Sequence, residues 1–171
     1  MTRVCFYIGA FLCIMLLFGS VTTYLGISYT YTGSLPCGIY RRIDTRITRG
    51  CFATFDPKLS PNLSQFLNKY AKRGAENLWM KQIVAVPGDV VSIASNGYML
   101  VNNRVVPHSK WFPIQSKDGK PYFSHPEYPY TVPANHYVLL GTHPKSLDSR
   151  FYGPIPANII TEINTPIFAW P

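Results

Sequence analysis

Two residues of this 171-residue chain have the types and surroundings that nucleophilic chemistry requires. Ser34 lies among small and turn-forming residues, because positions 32–36 read Thr-Gly-Ser-Leu-Pro, and Lys81 leads into the apolar stretch 83–86. A serine attacks a carbonyl only when a base removes its proton, and a lysine can be that base when apolar burial lowers its pKa. Taken singly, each also fits an ordinary role, Ser34 as a turn residue and Lys81 as a solvated lysine at a strand start.

A third segment, at positions 146–150, reads Ser-Leu-Asp-Ser-Arg. Asp148 and Arg150 are two positions apart, so on an extended strand they would share a face and could form an ion pair. Ser146 carries a hydroxyl that could hydrogen-bond the lysine amine and orient it, as the third group of a catalytic triad does. A structural salt bridge is the alternative for the charged pair, and it is compatible with a pair that braces an active site.

Other candidate residues would bind a peptide rather than react with it. The Thr32 hydroxyl and the Ser34 backbone N–H could hold the oxyanion that develops when a serine attacks a carbonyl. An extended peptide would pair with a strand edge made of Ile83, Val84, Ala85 and Val86. The chain has no Cys-x-x-Cys or His-Glu-x-x-His motif and its four histidines are scattered, so we predict neither a metal site nor a cofactor.

An apolar segment precedes these candidates, and from Val4 to Tyr40 it contains no Asp, Glu, Lys, Arg or His. Its most apolar part ends near Ile27 and is long enough to cross ~30 Å of hydrocarbon as a helix. We predict a membrane anchor over residues 1–30 and one catalytic domain over residues 31–171. A cleavable signal peptide is the alternative, although the run is long for one and no small-x-small cleavage site ends it.

Composition predicts a mainly β fold for the rest of the chain. Charged residues make up 14% and apolar residues 47% of the sequence, which excludes a disordered protein. Fifteen prolines, twelve glycines and many β-branched and aromatic residues favour strands joined by turns. We expect strands coiled into barrel-like or sandwiched sheets, one N-terminal transmembrane helix, and one short inserted helix at residues 61–73 that begins at Ser60-Pro61 and stops at Gly74.

Alternating apolar residues between turn signals predict the individual strands. Asn96-Gly97 and Asn102-Asn103 are expected to form tight turns. The proline-rich segment 107–130 has no regular period, which indicates a long irregular loop. The predicted strands are 39–43 and 51–55, which would pair with each other, and then 82–86, 90–94, 98–101, 104–106 and 137–140.

The net charge of +8 allows attraction to anionic lipid or to nucleic acid. Basic residues at positions 41, 42, 46 and 49 closely follow the apolar segment, so the lipid bilayer is the partner we favour. A solvated basic face is the alternative, and nucleic acid is not expected because the basic segment has no recognisable binding motif. Cys37 and Cys51 lie outside the apolar run, and a disulfide between them in an oxidising compartment is left open.

In this order, the segments resemble those of the signal peptidase I superfamily, serine peptidase family S26, whose members use a Ser–Lys dyad on the outer face of the membrane. The resemblance implies that Ser34 is the nucleophile and Lys81 the general base, with Thr32 in the oxyanion hole. Positions 83–89 are similar to the family's Val-Ala-x-Pro-Gly-Asp segment. The family's Ser-x-Asp-Ser-Arg box corresponds to positions 146–150, which implies that its first serine lies beside the lysine and that its charged pair supports the dyad.

Finer features resemble one branch of the superfamily, the TraF-type peptidases of conjugative transfer systems. These features are the small size, the single anchor, the Ser-Leu-Pro-x-Gly-x-Tyr spacing from Ser34 and the ending Ser-Leu-Asp-Ser-Arg-Phe-Tyr-Gly-Pro-Ile-Pro. General signal peptidases have Ser-Met-x-Pro-Thr and Gly-Asp-Asn-Arg where this chain has Ser-Leu-Pro-Cys and Gly-Thr-His-Pro. This departure disfavours the general enzyme.

The resemblance implies a serine endopeptidase of the bacterial inner membrane, with its catalytic domain on the periplasmic side. Its substrate would be an exported precursor, above all the pilin subunit of a conjugative (type IV secretion) system, with contact to the transfer apparatus. Some TraF-type enzymes also join the pilin ends into a ring. A general signal peptidase with many secreted substrates is one alternative, and a non-catalytic scaffold of the transfer apparatus is the other.

Overall fold

The computed structural model describes the chain except for residues 1, 32, 72, 73, 113, 117, 120, 123–125 and 171, and except for the side chains of residues 2, 3, 5, 121 and 122. The chain begins with a long helix, α1 (Thr2–Tyr24), and continues mainly as strands. In chain order the following elements are β1 (Ile27–Thr30), β2 (Cys37–Ile43), β3 (Phe52–Phe55), α2 (Pro61–Tyr70), β4 (Trp79–Ala85), β5 (Val90–Ile93), β6 (Met99–Val101), β7 (Arg104–Val105), β8 (Ile114–Gln115), β9 (Pro121–Tyr122), β10 (Tyr130–Thr131), β11 (His136–Leu140), α3 (Ser149–Tyr152), β12 (Ile155–Pro156) and β13 (Ile160–Trp170).

The strands form two main sheets and one short hairpin. The larger sheet has seven strands in the order β1-β2-β13-β3-β4-β11-β12, and the smaller has four in the order β10-β5-β6-β7. β8 and β9 pair only with each other. The mainly β architecture with one long N-terminal helix and a short inserted helix is therefore confirmed.

Strand β4 is fixed by two hydrophobic cores. On the side of α2, Ile83 packs in a core with Phe55, Leu67 and Leu139. Further along β4, Ala85 packs in a second core, formed mainly with residues of the smaller sheet and β11. Because β4 is packed into two cores just after Lys81, the strand is a rigid support for this residue.

Strand β13 is absent from the strands predicted above, and it changes the pairing of the first strands. β13 lies between β2 and β3 and pairs antiparallel with both. The predicted pairing of residues 39–43 with residues 51–55 is therefore wrong, although both segments are strands.

The same strand keeps Cys37 apart from Cys51. Cys37 lies opposite Trp170 of β13, whereas the start of β3, next to Cys51, lies opposite Asn164. The stretch of β13 between these positions spans about 20 Å, far more than a disulfide can bridge. Both cysteines are free thiols.

Helix α1 is long and apolar enough between Phe6 and Tyr24 to cross a membrane. A signal sequence near the N-terminus has the same length and composition. The hydroxyls of Ser20, Thr22 and Thr23 donate hydrogen bonds of 2.8–2.9 Å to carbonyls one turn earlier, so these three groups are satisfied within the helix. The helix ends at Tyr24 and β1 already belongs to the sheet. The β domain thus begins a few residues earlier than the predicted boundary at residue 31.

Helix α2 and the turns follow the sequence pattern closely. α2 has Pro61 in its first turn and buries Leu63 and Leu67, but it ends at Tyr70 rather than at residue 73 because Ala71 is extended. Asn102 and Asn103 both have positive φ, 49° and 64°, as a tight hairpin turn requires. The described part of the segment 107–130 is largely irregular, as predicted, and its strands are the short β8, β9 and the start of β10.

One face of the larger sheet exposes aromatic side chains instead of burying them. Tyr29, Ile39 and Phe168 lie side by side across β1, β2 and β13, and Trp170 lies opposite Cys37. Tyr29 stacks on Tyr31 with ring centroids 6.2 Å apart, and Phe168 lies 5.5 Å from Trp170. We call this surface the aromatic face; it consists of Tyr29, Tyr31, Ile39, Phe168 and Trp170, all of them exposed.

Candidate active site

Lys81 lies inside the protein near the start of β4. The side chains of this strand alternate, and Lys81 shares the buried face with Ile83 and Ala85. It is 1% exposed, and its Nζ donates a hydrogen bond of 2.9 Å to Ser146 Oγ. The apolar surroundings that the neighbouring sequence indicates are therefore present.

Burial lowers the pKa of Lys81 from 10.5 to about 8, because the charged amine loses its hydration. Two buried charges act on the same amine in opposite directions. The Asp148 carboxylate raises the pKa of Lys81, and the Arg150 guanidinium lowers it. With a pKa near 8, about a tenth of the lysine is neutral at pH 7 and can accept a proton.

Asp148 and Arg150 form an ion pair in which both side chains are 0% exposed. Arg150 Nε and Nη2 donate to the two oxygens of Asp148, each at 2.8 Å. The pair does not form across the face of a strand, as the two-residue spacing predicted. Asp148 instead caps the start of α3 and accepts the backbone N–H of Arg150, so a helix start brings the two side chains together.

The same pair holds the loop that carries Ser146. Arg150 Nη1 donates to the carbonyl oxygens of Lys110 at 2.8 Å and Pro144 at 2.9 Å, and Nη2 donates to that of Ser146 at 2.9 Å. Asp148 Oδ2 accepts the N–H of Gly141 at 2.9 Å. Arg150 thus saturates its donors on backbone carbonyls and one carboxylate, which is what a buried guanidinium requires.

Ser34 lies in the turn between β1 and β2 and lines the same cleft as Lys81. Its carbonyl oxygen accepts a hydrogen bond of 2.9 Å from the N–H of Thr142. Gly141 has no room for a side chain here, since a Cβ would lie 2.6 Å from the Ser34 carbonyl oxygen and would overlap Ser146. Gly141 therefore lets the Ser34 turn approach Ser146, and through Ser146 the lysine amine.

The structure thus brings five of the predicted residues to one region: Ser34, Lys81, Ser146, Asp148 and Arg150. Thr32 lies outside the described residues, so its place in an oxyanion hole stays a prediction. The role of the Ser34 backbone N–H in that oxyanion hole also stays a prediction. Among the residues that the structure describes, no group of three or more His, Cys, Asp or Glu could hold a metal ion.

The cleft beside Lys81 has a volume of ≈ 660 Å³ and mainly apolar walls. Turn, strand and helix residues all contribute to it. Apart from Ser34, Lys81 and Ser146, its lining includes Tyr31, Tyr70, Leu78, Trp79, Met80, Phe112 and Ile114, with Asn77, Gln115 and Lys145 as polar members. A wall of this composition suits an extended peptide segment with apolar side chains.

The predicted peptide-binding edge does not lie at this cleft. Ile83 and Ala85 are fully buried, and the Ile83 backbone exchanges hydrogen bonds with Gly50 and Cys51 while β11 pairs on the other side. These groups are already occupied, so they cannot receive a substrate strand.

The remaining two residues of that edge are also engaged elsewhere. Val84 lines a separate pocket, and the N–H of Val86 donates to Asp89 Oδ2 at 2.8 Å. The register of β11 on β4 begins only at Gln82, whereas the preceding residues 77–80 line the cleft. The prediction is corrected accordingly: the strand edge at the cleft lies before Lys81, not after it.

Two residues at the site were not singled out from the sequence. Trp79 lies two positions before Lys81, so the period of a strand places both on one face. Gly141 directly follows the buried strand β11, a position where a glycine often marks close approach of another segment. The strand period could have identified Trp79, and the glycine after a buried strand could have identified Gly141.

Comparison with known proteins places the chain in a family. The model of the family "Signal peptidase, peptidase S26" matches residues 6–168. Two Escherichia coli proteins named plasmid transfer protein TraF are 27% identical over 149 residues and 25% identical over 154 residues. The first alignment covers 81% of this chain and 80% of the relative, and the second covers 85% and 84%.

Two further similarities are more partial. A conjugal transfer protein TraF from Agrobacterium tumefaciens is 29% identical over 91 residues, which are 53% of this chain and 49% of that protein. The crystal structure of a signal peptidase I from Enterococcus faecalis aligns with 72% of this chain and 100% of that chain, with a TM-score of 0.46 and 15% sequence identity.

Proposed function

Because this chain belongs to the signal peptidase family, peptidase S26, we propose that it is a membrane-anchored serine endopeptidase with Ser34 as nucleophile and Lys81 as general base. The observation that carries the proposal is the buried Lys81 amine, hydrogen-bonded to Ser146 in the cleft that Ser34 also lines. A lysine in that setting holds a pKa near 8 and can act as a base at neutral pH.

In the proposed reaction, neutral Lys81 takes the proton of Ser34 Oγ as that oxygen attacks the peptide carbonyl carbon. The Ser34 N–H and the Thr32 hydroxyl hold the oxyanion. When the tetrahedral intermediate collapses, the Lys81 ammonium gives its proton to the leaving amine, and an ester on Ser34 remains. Lys81, neutral again, then removes a proton from water or from a substrate amine that attacks this ester.

The residues around Lys81 keep it in position for both steps. Ser146 accepts a hydrogen bond from Nζ and so fixes the direction of the amine. Asp148 and Arg150 hold the loop of Ser146 through its carbonyl and through Gly141. Their charges oppose each other at the amine, which leaves burial as the main influence on its pKa.

We propose that the substrate binds as an added strand beside residues 78–80. These residues line the cleft, and among the described residues the pairing of β11 with β4 begins only at Gln82. Main-chain hydrogen bonds would set the register of the peptide, and the aromatic walls would contact its side chains. This edge replaces the one predicted after Lys81.

The proposed substrate is an exported precursor, the pilin subunit of a conjugative transfer system. What supports it is the similarity to plasmid transfer and conjugal transfer proteins named TraF over most of the chain. Cyclisation of the pilin follows if a substrate amine rather than water opens the ester. Contact with the transfer apparatus belongs to the same proposal.

We further propose that α1 is retained as a single-pass anchor in the bacterial inner membrane, with the β domain in the periplasm. The aromatic face adjoins the strand that follows α1, and tyrosine and tryptophan favour the boundary between hydrocarbon and water. Arg41 is exposed on β2, two positions after Ile39 and on the same face, where anionic headgroups could reach it. The lipid bilayer is thus the second partner.

The test is mass spectrometry of the host's pilin subunit from cells that carry wild-type enzyme, Ser34→Ala or Lys81→Met. We expect a shortened pilin with the wild type and an unprocessed one with either variant. Loss of one further water, about 18 Da, would identify cyclisation. Matched controls are Ser95→Ala and Lys58→Met, which remove an exposed serine and an exposed lysine.

Other results would redirect the proposal. An unchanged pilin together with other exported proteins that accumulate unprocessed would indicate a general signal peptidase. Processing that continues at the wild-type rate in both variants would exclude the dyad. No change in any exported protein would favour a non-catalytic scaffold.

A further inference from the structure

We propose that Trp79 is a positioning residue whose indole covers the Lys81 amine and keeps solvent away from it. The inference rests on the proposed function, since it matters only if Lys81 is a base. Trp79 and Lys81 lie two residues apart on β4, so both side chains project from the same face of the strand. The Lys81 Nζ lies 5.4 Å from the centroid of the Trp79 ring.

The indole explains why a lysine in a large cleft is almost inaccessible. Both residues line the same ≈ 660 Å³ space, yet Lys81 is only 1% exposed. Ser146 covers the amine on one side, by the hydrogen bond described above. The ring of Trp79 is a large apolar surface beside the amine and also lines the cleft, from which we infer that it stands between Nζ and the open part of the cleft.

The ring is held in this place from helix α2. Trp79 Nε1 donates a hydrogen bond of 3.2 Å to the carbonyl of Gly74, and the neighbouring Ala75 N–H donates to Asn68 Oδ1 at 2.9 Å. Asn68 belongs to α2, which Leu67 anchors in the core. The inserted helix thus has a function at the site: it fixes the side chain that covers the base.

Two effects of the ring on Lys81 oppose each other. A desolvated cation–π contact favours the ammonium by about 1.5 pKa units. Loss of hydration disfavours the ammonium, by up to ~3–5 pKa units for a fully buried lysine. The second effect is larger, so removal of the ring should admit water and raise the pKa of Lys81.

The remaining charges near the amine stay the same in this comparison. Asp148 and Arg150 act on the pKa of Lys81 from the start of α3 in opposite directions. Lys145 lines the cleft from the loop before Ser146 and is exposed. A substitution at Trp79 alters none of these groups. A shift in the pKa of Lys81 would therefore measure how far the indole shields the amine from water.

The experiment measures the pKa of Lys81 in the full-length, detergent-solubilised protein. Acetic anhydride labelling between about pH 6 and 11, read for the Lys81 peptide by mass spectrometry, gives this pKa without any need for peptidase activity. We expect Trp79→Ala to raise it by about one unit or more, and the rate of substrate cleavage at pH 7 to fall about tenfold or more for each unit. Trp79→Phe keeps the cover and should stay within about half a unit.

Controls separate this inference from a structural effect and from the proposed function. Leu78→Ala removes a neighbouring side chain of the cleft and should leave the pKa of Lys81 unchanged. Trp79→Leu should give a smaller rise and serves if Trp79→Ala does not fold. A folded Trp79→Ala protein with an unchanged or lower pKa of Lys81 would overturn the inference, even if its activity falls. If the pKa rises but Ser34→Ala still cleaves, the proposed function fails and the inference about the cover stands.

Discussion

An arginine–aspartate pair lies near each end of strand β4, and the two pairs differ in burial. Near its beginning, Asp148 and Arg150 are both 0% exposed. Beyond its other end, Asp89 is 6% exposed but its partner Arg49 is 51% exposed. The chemistry of the contact is the same, since in each pair the guanidinium binds both carboxylate oxygens.

The outer pair braces a turn. Asp89 also accepts the N–H of Val86 at 2.8 Å and the side-chain amide of Asn102 at 2.8 Å. Burial raises the pKa of Asp89, but the hydrogen bonds from Arg49, Val86 and Asn102 together hold it below its usual value. Asp89 therefore accepts hydrogen bonds from three groups, and two of these groups remain if the third is removed.

The inner pair acts on Lys81, the proposed base. An unpaired Asp148 would attract the proton of Lys81 and keep the lysine charged, whereas Arg150 offsets that attraction. The comparison teaches that a buried ion pair can have a purpose other than stability. At this site the two charges act on the lysine in opposite directions, and burial is the largest influence on its pKa.

The largest expected effect comes from breaking the inner pair. Arg150→Met leaves the Asp148 carboxylate buried without its partner, so the free energy of unfolding should fall by about 3–5 kcal/mol. Urea unfolding of the detergent-solubilised protein measures this loss. Arg46→Met, at an exposed arginine of the 44–51 loop, should change stability by less than about 0.5 kcal/mol. Similar losses in the two variants would contradict the distinction between buried and exposed arginines.

The next effect is a rise in stability with pH that Lys81 causes. Its pKa is about 8 in the folded protein and 10.5 when unperturbed, so between these values the unfolded state binds more protons. The free energy of unfolding should therefore increase by about 2 kcal/mol from pH 7.5 to 9.5. Lys81→Met should abolish this rise and Lys58→Met should retain it.

Above about pH 10 this trend should reverse. Burial raises the pKa of both Tyr128 and Tyr130, so the unfolded state loses their protons first and stability falls as the pH increases. A flat profile of the wild type between pH 7.5 and 9.5 would contradict the low pKa of Lys81.

A smaller effect is expected at the outer pair. Arg49→Met should cost about 1 kcal/mol of unfolding free energy, because Arg49 is half exposed and Asp89 keeps its other two donors. Urea unfolding at pH 7 provides the measurement. A loss as large as that of Arg150→Met would mean that the two pairs are energetically alike.

The smallest effect is the response to salt. At ~1 M NaCl the destabilisation by Arg49→Met should shrink by a few tenths of a kcal/mol, since salt screens exposed charges. The destabilisation by Arg150→Met should not change, because its pair is buried. Equal screening in both variants would place the inner pair in contact with solvent.

The sequence allowed the site to be predicted better than the sheet. The Ser-Leu-Asp-Ser-Arg stretch and Lys81 could be identified because the chemistry requires particular residue types, and their burial follows from apolar neighbours. β13 escaped prediction because Asn164 and Pro166 interrupt its pattern. The structure accommodates both, with Asn164 Nδ2 bonded to Thr54 at 2.9 Å and a register shift after Pro166.

The peptide-binding edge was misplaced for a related reason. An apolar stretch such as 83–86 indicates a buried strand, but it does not say which neighbours occupy its backbone groups. That depends on β11 and on the Gly50–Cys51 backbone, both remote in sequence. The local sequence pattern therefore identifies the strand. Only the three-dimensional pairing of strands shows which part of it lines the cleft.

The position of β13 has a consequence for how the enzyme matures. This strand follows both halves of the proposed site in the chain, yet it joins β2, next to Ser34, to β3, which supports Lys81. Pairings between residues so distant in sequence form slowly and late in folding. If the β domain is exported as proposed, Ser34 and Lys81 should come together only after residues 160–170 have crossed the membrane, so that a partly translocated chain would be inactive.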